Sequence, residues 1–170
     1  MTVTRRIISR LAALALMVLV PAGHAQAAQT TIQANANIVK ALTLTRKQDL
    51  DFGTILLSGA TGTFNVSIGM TGVVTCPAGF TCSGTPKPAI LNVTGSNANV
   101  VRITALPSDL VNASDSNQKL RFTPVAPATI MLTNSGSPGK DFNVGGSIAI
   151  PSTAADGVYS GNIEVTIDYQ

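Results

Sequence analysis

Tyr159-Ser-Gly-Asn-Ile-Glu-Val-Thr-Ile-Asp-Tyr-Gln170 alternates without a break. Tyr159, Gly161, Ile163, Val165, Ile167 and Tyr169 fall on one side, with Ser160, Asn162, Glu164, Thr166, Asp168 and Gln170 on the other. Successive side chains on a strand point to opposite faces, so this is the pattern of a half-buried β-strand. With this run closing the sequence, no later strand is expected to pair back along its second edge. A strand of this quality is expected to take a neighbour from elsewhere, because an open edge leaves a row of main-chain groups unpaired.

The rest of the chain is punctuated in the same way. Apolar, β-branched runs are expected as strands at Thr31–Thr45, Leu50–Leu57, Thr63–Ile68, Gly72–Thr75, Ala89–Thr94, Asn99–Leu106, Lys119–Val125, Thr129–Thr133 and Phe142–Ile150. Turn residues separate them at Ser58-Gly59, Gly95-Ser96-Asn97, Asn134-Ser-Gly136 and Asp156-Gly157. No run has helical periodicity beyond the first residues. The expected fold is all-β: an immunoglobulin-like antiparallel sandwich of about eight or nine strands.

Residues 1–27 read as a cleaved secretory signal. Arg5, Arg6 and Arg10 form a basic n-region, Leu11–Val20 an apolar stretch too short to span a bilayer, and Ala25-Gln-Ala27 a small-x-small cleavage site. The mature chain, residues 28–170, is expected to be one β-domain that is exported through the periplasm to the cell surface. It has no later run apolar enough to span a membrane as a helix.

The signal also carries the charge imbalance. Eleven Lys and Arg, less three arginines in the signal, leave eight against eight Asp and Glu. The basic residues that remain are scattered, so no nucleic-acid footprint is expected. A neutral, charge-poor surface repels its copies weakly and tolerates self-association.

Candidate chemistry is sparse. The single histidine, His24, lies in the signal, which removes Ser/His and Cys/His catalysis from the mature chain. The two cysteines, Cys76 and Cys82, are read as a disulfide, since a Cys-x5-Cys pair without further ligands makes a poor metal site. Closing so short a loop stabilises by about 2 kcal/mol. Most of the acids fall in turns, and Glu164 and Asp168 lie on the polar face of the last strand, so neither an enzyme nor a cofactor or metal site is expected. Most aromatic residues lie in strand runs. Phe80, at the tip of the cystine loop, has two readings: a contact knob, or a ring folded back on its own disulfide.

The remaining pattern joins the two ends of the chain. Ile32, Ala34, Ala36 and Ile38 alternate in the extended segment 28–38. Such a segment laid along an open edge gains main-chain hydrogen bonds and seats alternate side chains in pockets. It can be the first strand of its own sandwich or pair with a neighbouring molecule, and pattern alone leaves both open. Pairing with a neighbour would be head-to-tail and would propagate into a fibre.

Ala34-x-Ala36-x-Ile38, Leu42-x-Leu44, Leu50-Asp-Phe-Gly-Thr-Ile55 and the closing Gly157-Val-Tyr-Ser-Gly161 to Tyr169 resemble a bacterial exported family known only as domain of unknown function 4402. The same ends are similar to subunits of chaperone–usher pili, in which a donated strand completes an unfinished sandwich. That resemblance implies donor residues Ile32, Ala34, Ala36 and Ile38 and an acceptor edge of Tyr159, Ile163, Val165, Ile167 and Tyr169. It also implies like subunits, a periplasmic chaperone and an outer-membrane usher as partners. The short cystine loop departs from the pilin pattern of a disulfide between separated strands. The competing expectation is a monomeric secreted binding module, glycan-binding for instance, with residues 28–38 paired in its own sheet.

Overall fold

The computed structural model describes residues 27–59 and 61–170. The expected export signal lies outside the described residues except for Ala27. Among the described residues no helix is long and apolar enough to cross a membrane. Two units are distinguished, one ending at Ala36 and one running from Asn37 to Gln170. The described part of the first, residues 27–36, carries no regular secondary structure and is exposed.

The second unit is built of β-strands: β1 (Thr43–Gln48), β2 (Thr54–Leu57), β3 (Thr63–Ile68), β4 (Val74–Thr75), β5 (Phe80–Ser83), β6 (Ala89–Thr94) and β7 (Val100–Ala105). They continue with β8 (Ser108–Asn112), β9 (Lys119–Val125), β10 (Thr129–Met131), β11 (Lys140–Pro151), β12 (Tyr159–Ser160) and β13 (Val165–Tyr169). The large sheet runs β1-β6-β11-β9-β8-β12, with β3 also on β11 and β4 on β3. The other layer is in two pieces, a three-stranded β10-β7-β13 and a two-stranded β2-β5. Every pairing is antiparallel.

The expected antiparallel, sandwich-like fold is therefore present, with thirteen strands among the described residues in place of eight or nine. The excess comes from two-residue pieces such as β4 and β12 and from strands inside segments read as loops. Thr31–Thr45 is corrected too: pairing begins only at Thr43, because alternation by itself supplies no hydrogen-bonding partner.

β11 organises the large sheet. Its first half, Lys140–Val144, bonds β6, while the stretch from Gly145 to Pro151 bonds β9 and β3. Two glycines stand at the handover. A side chain on Gly145 would collide with the carbonyl of Ile68, and one on Gly146 would meet the Phe122 ring at 2.5 Å. Val144 just before them and Ile148 and Ile150 after them point inward along the same strand.

Two apolar clusters result. One gathers Val93, Val101, Ile103, Leu132, Phe142 and Val144, with Leu42, Leu44, Val165, Ile167 and Tyr169 packed on it. The other gathers Val66, Leu120, Phe122, Ile148 and Ile150, flanked by Phe52, Ile55, Leu57, Phe80, Tyr159 and Ile163.

One polar contact ties three neighbouring strands. Lys47 Nζ on β1 donates to Asp141 on β11 at 2.7 Å, and the buried Asn92 amide of β6 donates to the same carboxylate. The Lys47 bond, then the Asn92 bond, holds the Asp141 carboxyl below its ordinary value of 3.8. A carboxyl with a depressed folded pKa contributes stability above its unfolded pKa and loses it as pH falls through the lower folded value. Asp141→Asn is therefore expected to lower the urea midpoint at pH 7, with a smaller difference from the parent at pH 2. The effect is small, since both charged side chains are about half exposed (50% and 48%) and screened by solvent. Equal differences at both pH values would contradict it.

Candidate functional site

β13 bonds β7 on one side and has no second strand neighbour among the described residues. The pairing shows which main-chain groups are left over. Leu106 N–H donates to Glu164 O, and Gln170 N–H donates to Val100 O. With Thr166 opposite Thr104 and Asp168 opposite Arg102, the even-numbered residues form the hydrogen-bonded pairs. The opposite edge of β7 agrees, since Ile103 N–H is turned to Ala128 O beside β10. The N–H and C=O groups of Val165, Ile167 and Tyr169 therefore point to the open edge. Their side chains face the first cluster. Main-chain bonding capacity and an apolar face thus come from the same residues.

Beside this edge a groove of about 1470 Å³ runs between the two pieces of the second layer. Val144, Leu120, Ile148 and Ile150 form its floor, residues of both core clusters. One wall is Leu44, Leu50, Phe52, Ile55 and Leu57, and the facing wall is Ala154, Tyr159, Ile163 and Val165. Small-molecule pockets span about 300–1,000 Å³. This one is larger and floored by core strand residues, which suits a length of polypeptide. β2, on the first wall, also has a single strand partner among the described residues, β5.

The wall containing Tyr159 is fixed from behind. Tyr159 Oη donates to Ala155 O at 2.8 Å. Buried Asn112 on β8 donates to Asp156 O at 3.0 Å and accepts from the N–H groups of Ser114 and Asp115. Gly157 packs directly on that amide, where a side chain would sit 2.8 Å from its nitrogen.

Outside the groove lining, Tyr169 ties the end of β13 to the segment that precedes β1. Tyr169 Oη donates to Lys40 O at 2.7 Å and accepts from Ser96 N–H at 2.7 Å. Lys40 N–H in turn donates to Ser96 Oγ at 2.6 Å. Gly95 makes room for this cluster: a side chain there would lie 2.5 Å from Tyr169 Oη and 2.8 Å from Leu42.

The residues expected from sequence are distributed as follows. Residues 159–170 keep their inward–outward alternation except at exposed Gly161, but form two strands in different sheets. The single strand expected there is thus corrected. Gly161 passes so close to β8 that a side chain would sit 2.5 Å from Asp109 O, after which the chain leaves for the other layer. Tyr159, Ile163 and Val165 line the groove, whereas Ile167 and Tyr169 lie outside its lining and pack on the first cluster. Ile32, Ala34, Ala36 and Ile38 belong to no strand, and Ile32 and Ile38 are 90% and 91% exposed.

Cys76 and Cys82 form the disulfide, with Cα atoms 6.0 Å apart. Phe80 is no loop tip. It opens β5, is half-buried, and stacks tilted on Phe64 at 4.9 Å between ring centroids. No phenylalanine or tyrosine among the described residues is exposed, so the aromatic platform that a glycan reading calls for is not formed there.

Sequence reasoning did not single out the floor residues or the Lys40–Ser96–Tyr169 cluster as functional. The alternation of β11 carried a signal for the floor, but which strand lies beneath the gap is a matter of topology.

A family model described as domain of unknown function (DUF4402) matches residues 42–169, beginning just before β1 and leaving residues 28–38 outside the match. No curated protein matches the chain. With most of its length covered by that match, the chain belongs to the DUF4402 family.

Proposed function

We propose that this protein is an exported, non-enzymatic structural subunit of a fimbria-like surface assembly, and that it polymerises by strand donation. The observation that carries the reading is the core-floored groove beside the unpaired edge of β13. Such an edge invites β-augmentation, and an apolar groove beneath it sets which side chains fit. The proposed occupant is segment 28–38 of a second copy. It is about 36 Å long when extended. Its isoleucines are exposed in the free chain, and burying Ile32 and Ile38 would contribute roughly 3–6 kcal/mol before any hydrogen bond.

A periplasmic chaperone that occupies the groove before assembly, and an outer-membrane usher, are the partners this reading calls for. The contact is heterologous, each copy giving a segment and receiving one, so it extends into a filament. The test is to compare the mature protein with the same protein lacking residues 28–38. The intact chain is expected to form multimers that survive detergent without heating, and the truncated chain to form none. Equal multimers from both, or a stable intact monomer at high concentration, would overturn the proposal.

A further inference from the structure

The place where β13 ends against the start of β1 bears on which molecule receives the segment. β1 leaves this place and β13 arrives at it, so the two strands run in opposite directions across the gap. The chain enters β1 through Lys40, whose N–H and C=O are both engaged, by Ser96 Oγ and by Tyr169 Oη. To lie in its own groove, segment 28–38 would have to reverse within Ile38-Val39-Lys40-Ala41. Tight hairpins need residues tolerant of positive φ, such as Asn-Gly. This stretch has two β-branched residues and no Gly, Asn, Asp or Pro. The reversed segment would also run parallel to β13, the slightly weaker ladder. Ile38 and Val39 are accordingly exposed, at 91% and 42%.

We propose that the Tyr169–Ser96–Lys40 cluster is a latch that keeps the N-terminal segment out of its own groove and commits it to a second copy of the chain. This rests on the strand-donation reading. Tyr169 is then a positioning residue for the donor segment as well as a core side chain. Its ring packs on the first cluster, and its hydroxyl sets where the chain leaves the domain.

The experiment compares the mature wild-type chain with three variants by size-exclusion chromatography and by proteolysis of the N-terminal segment. Tyr169→Phe keeps the ring and removes two bonds, Ser96→Ala removes the bond to Lys40 N–H, and Val39→Asn with Lys40→Gly supplies a turn while leaving the hydroxyl in place. All three are expected to move the ratio of multimer to folded monomer toward monomer. The shift for Tyr169→Phe is about tenfold, the equilibrium change carried by one to two net hydrogen bonds. In those monomers residues 32–38 should resist protease, because they fill their own groove, a readout that loss of packing alone would not produce. Variants that multimerise like the wild type would overturn the latch and leave strand donation standing. A wild-type chain that stays monomeric with residues 32–38 protease-sensitive would overturn both. Should Tyr169→Phe fail to fold, Ser96→Ala, which opens the same cluster while keeping the ring, decides between the same outcomes.

Discussion

A synthetic peptide spanning residues 28–38 is expected to raise the Tm of the truncated domain by about 10 °C when present at a hundredfold excess over its Kd. A ligand bound only to the folded state at that excess stabilises it by about 2.7 kcal/mol, and a domain of this size shifts by about 3–4 °C per kcal/mol. The groove supplies the mechanism. Its floor holds the side chains of Val144, Leu120, Ile148 and Ile150, and the strand beside it, β13, presents unpaired main-chain groups at Val165 and Ile167. Peptide binding covers the first and satisfies the second.

Specificity follows from which residues are buried. A peptide with Ile32→Asp and Ile38→Asp keeps every main-chain group but loses roughly 3–6 kcal/mol of apolar burial, so its affinity should fall by at least about a hundredfold. Differential scanning fluorimetry of the truncated domain with each peptide reads both effects. Equal shifts from the two peptides would mean that the groove does not read the apolar positions.

The second large effect lies beneath the floor. Phe122 is fully buried, meets Phe52 edge-on at 6.1 Å, and fills the space left by Gly146. Phe122→Ala is expected to cost about 3–5 kcal/mol, from lost transfer energy plus the cavity left behind. Against a total of about 5–15 kcal/mol, that brings the domain close to unfolding.

The ring and the glycine are expected to be coupled. Gly146→Ala alone drives a methyl group to 2.5 Å from the ring and should cost about 1–3 kcal/mol. With Phe122→Ala already in place the methyl enters vacated space, so most of that second cost should vanish. Urea unfolding of the four proteins measures the coupling, and simple additivity would show that Gly146 and Phe122 do not share the space.

Much of the fold was legible because local alternation and turn residues agree along most of the chain. Thr63–Ile68, Ala89–Thr94 and Lys119–Val125 are strands over the same residues that their patterns marked. The inward face of residues 159–170 was also read correctly apart from exposed Gly161. What alternation does not carry is partnership. It could not show that Tyr159 bonds β8 in one sheet while Val165 bonds β7 in the other, nor that residues 31–42 would go without a strand partner. β8 was missed because only Leu110 and Val111 are apolar in a stretch that follows Pro107. Phe80 was read from its place in a short loop, but its ring is turned toward Phe64 by the pairing of β5 with β2.

The candidate site was legible at its rim and hidden at its floor. Ile163 and Val165 stand out in the closing strand, whereas Val144 and Ile150 become groove residues only because no strand among the described residues covers the gap between β2 and β13. Tyr169 looked like one more edge residue. Its hydroxyl acts instead on Lys40, which is 129 positions away in sequence.

Amide hydrogen exchange along β13, in the truncated monomer and in the assembled protein, tests the central claim most directly. In the monomer Thr166 and Asp168 should be protected by β7, while Val165 and Ile167 exchange freely. In the assembly Val165 and Ile167 should become protected as well, because a donated strand takes up their N–H groups. Multimers in which Val165 and Ile167 still exchange as fast as in the monomer would contradict strand donation at this edge.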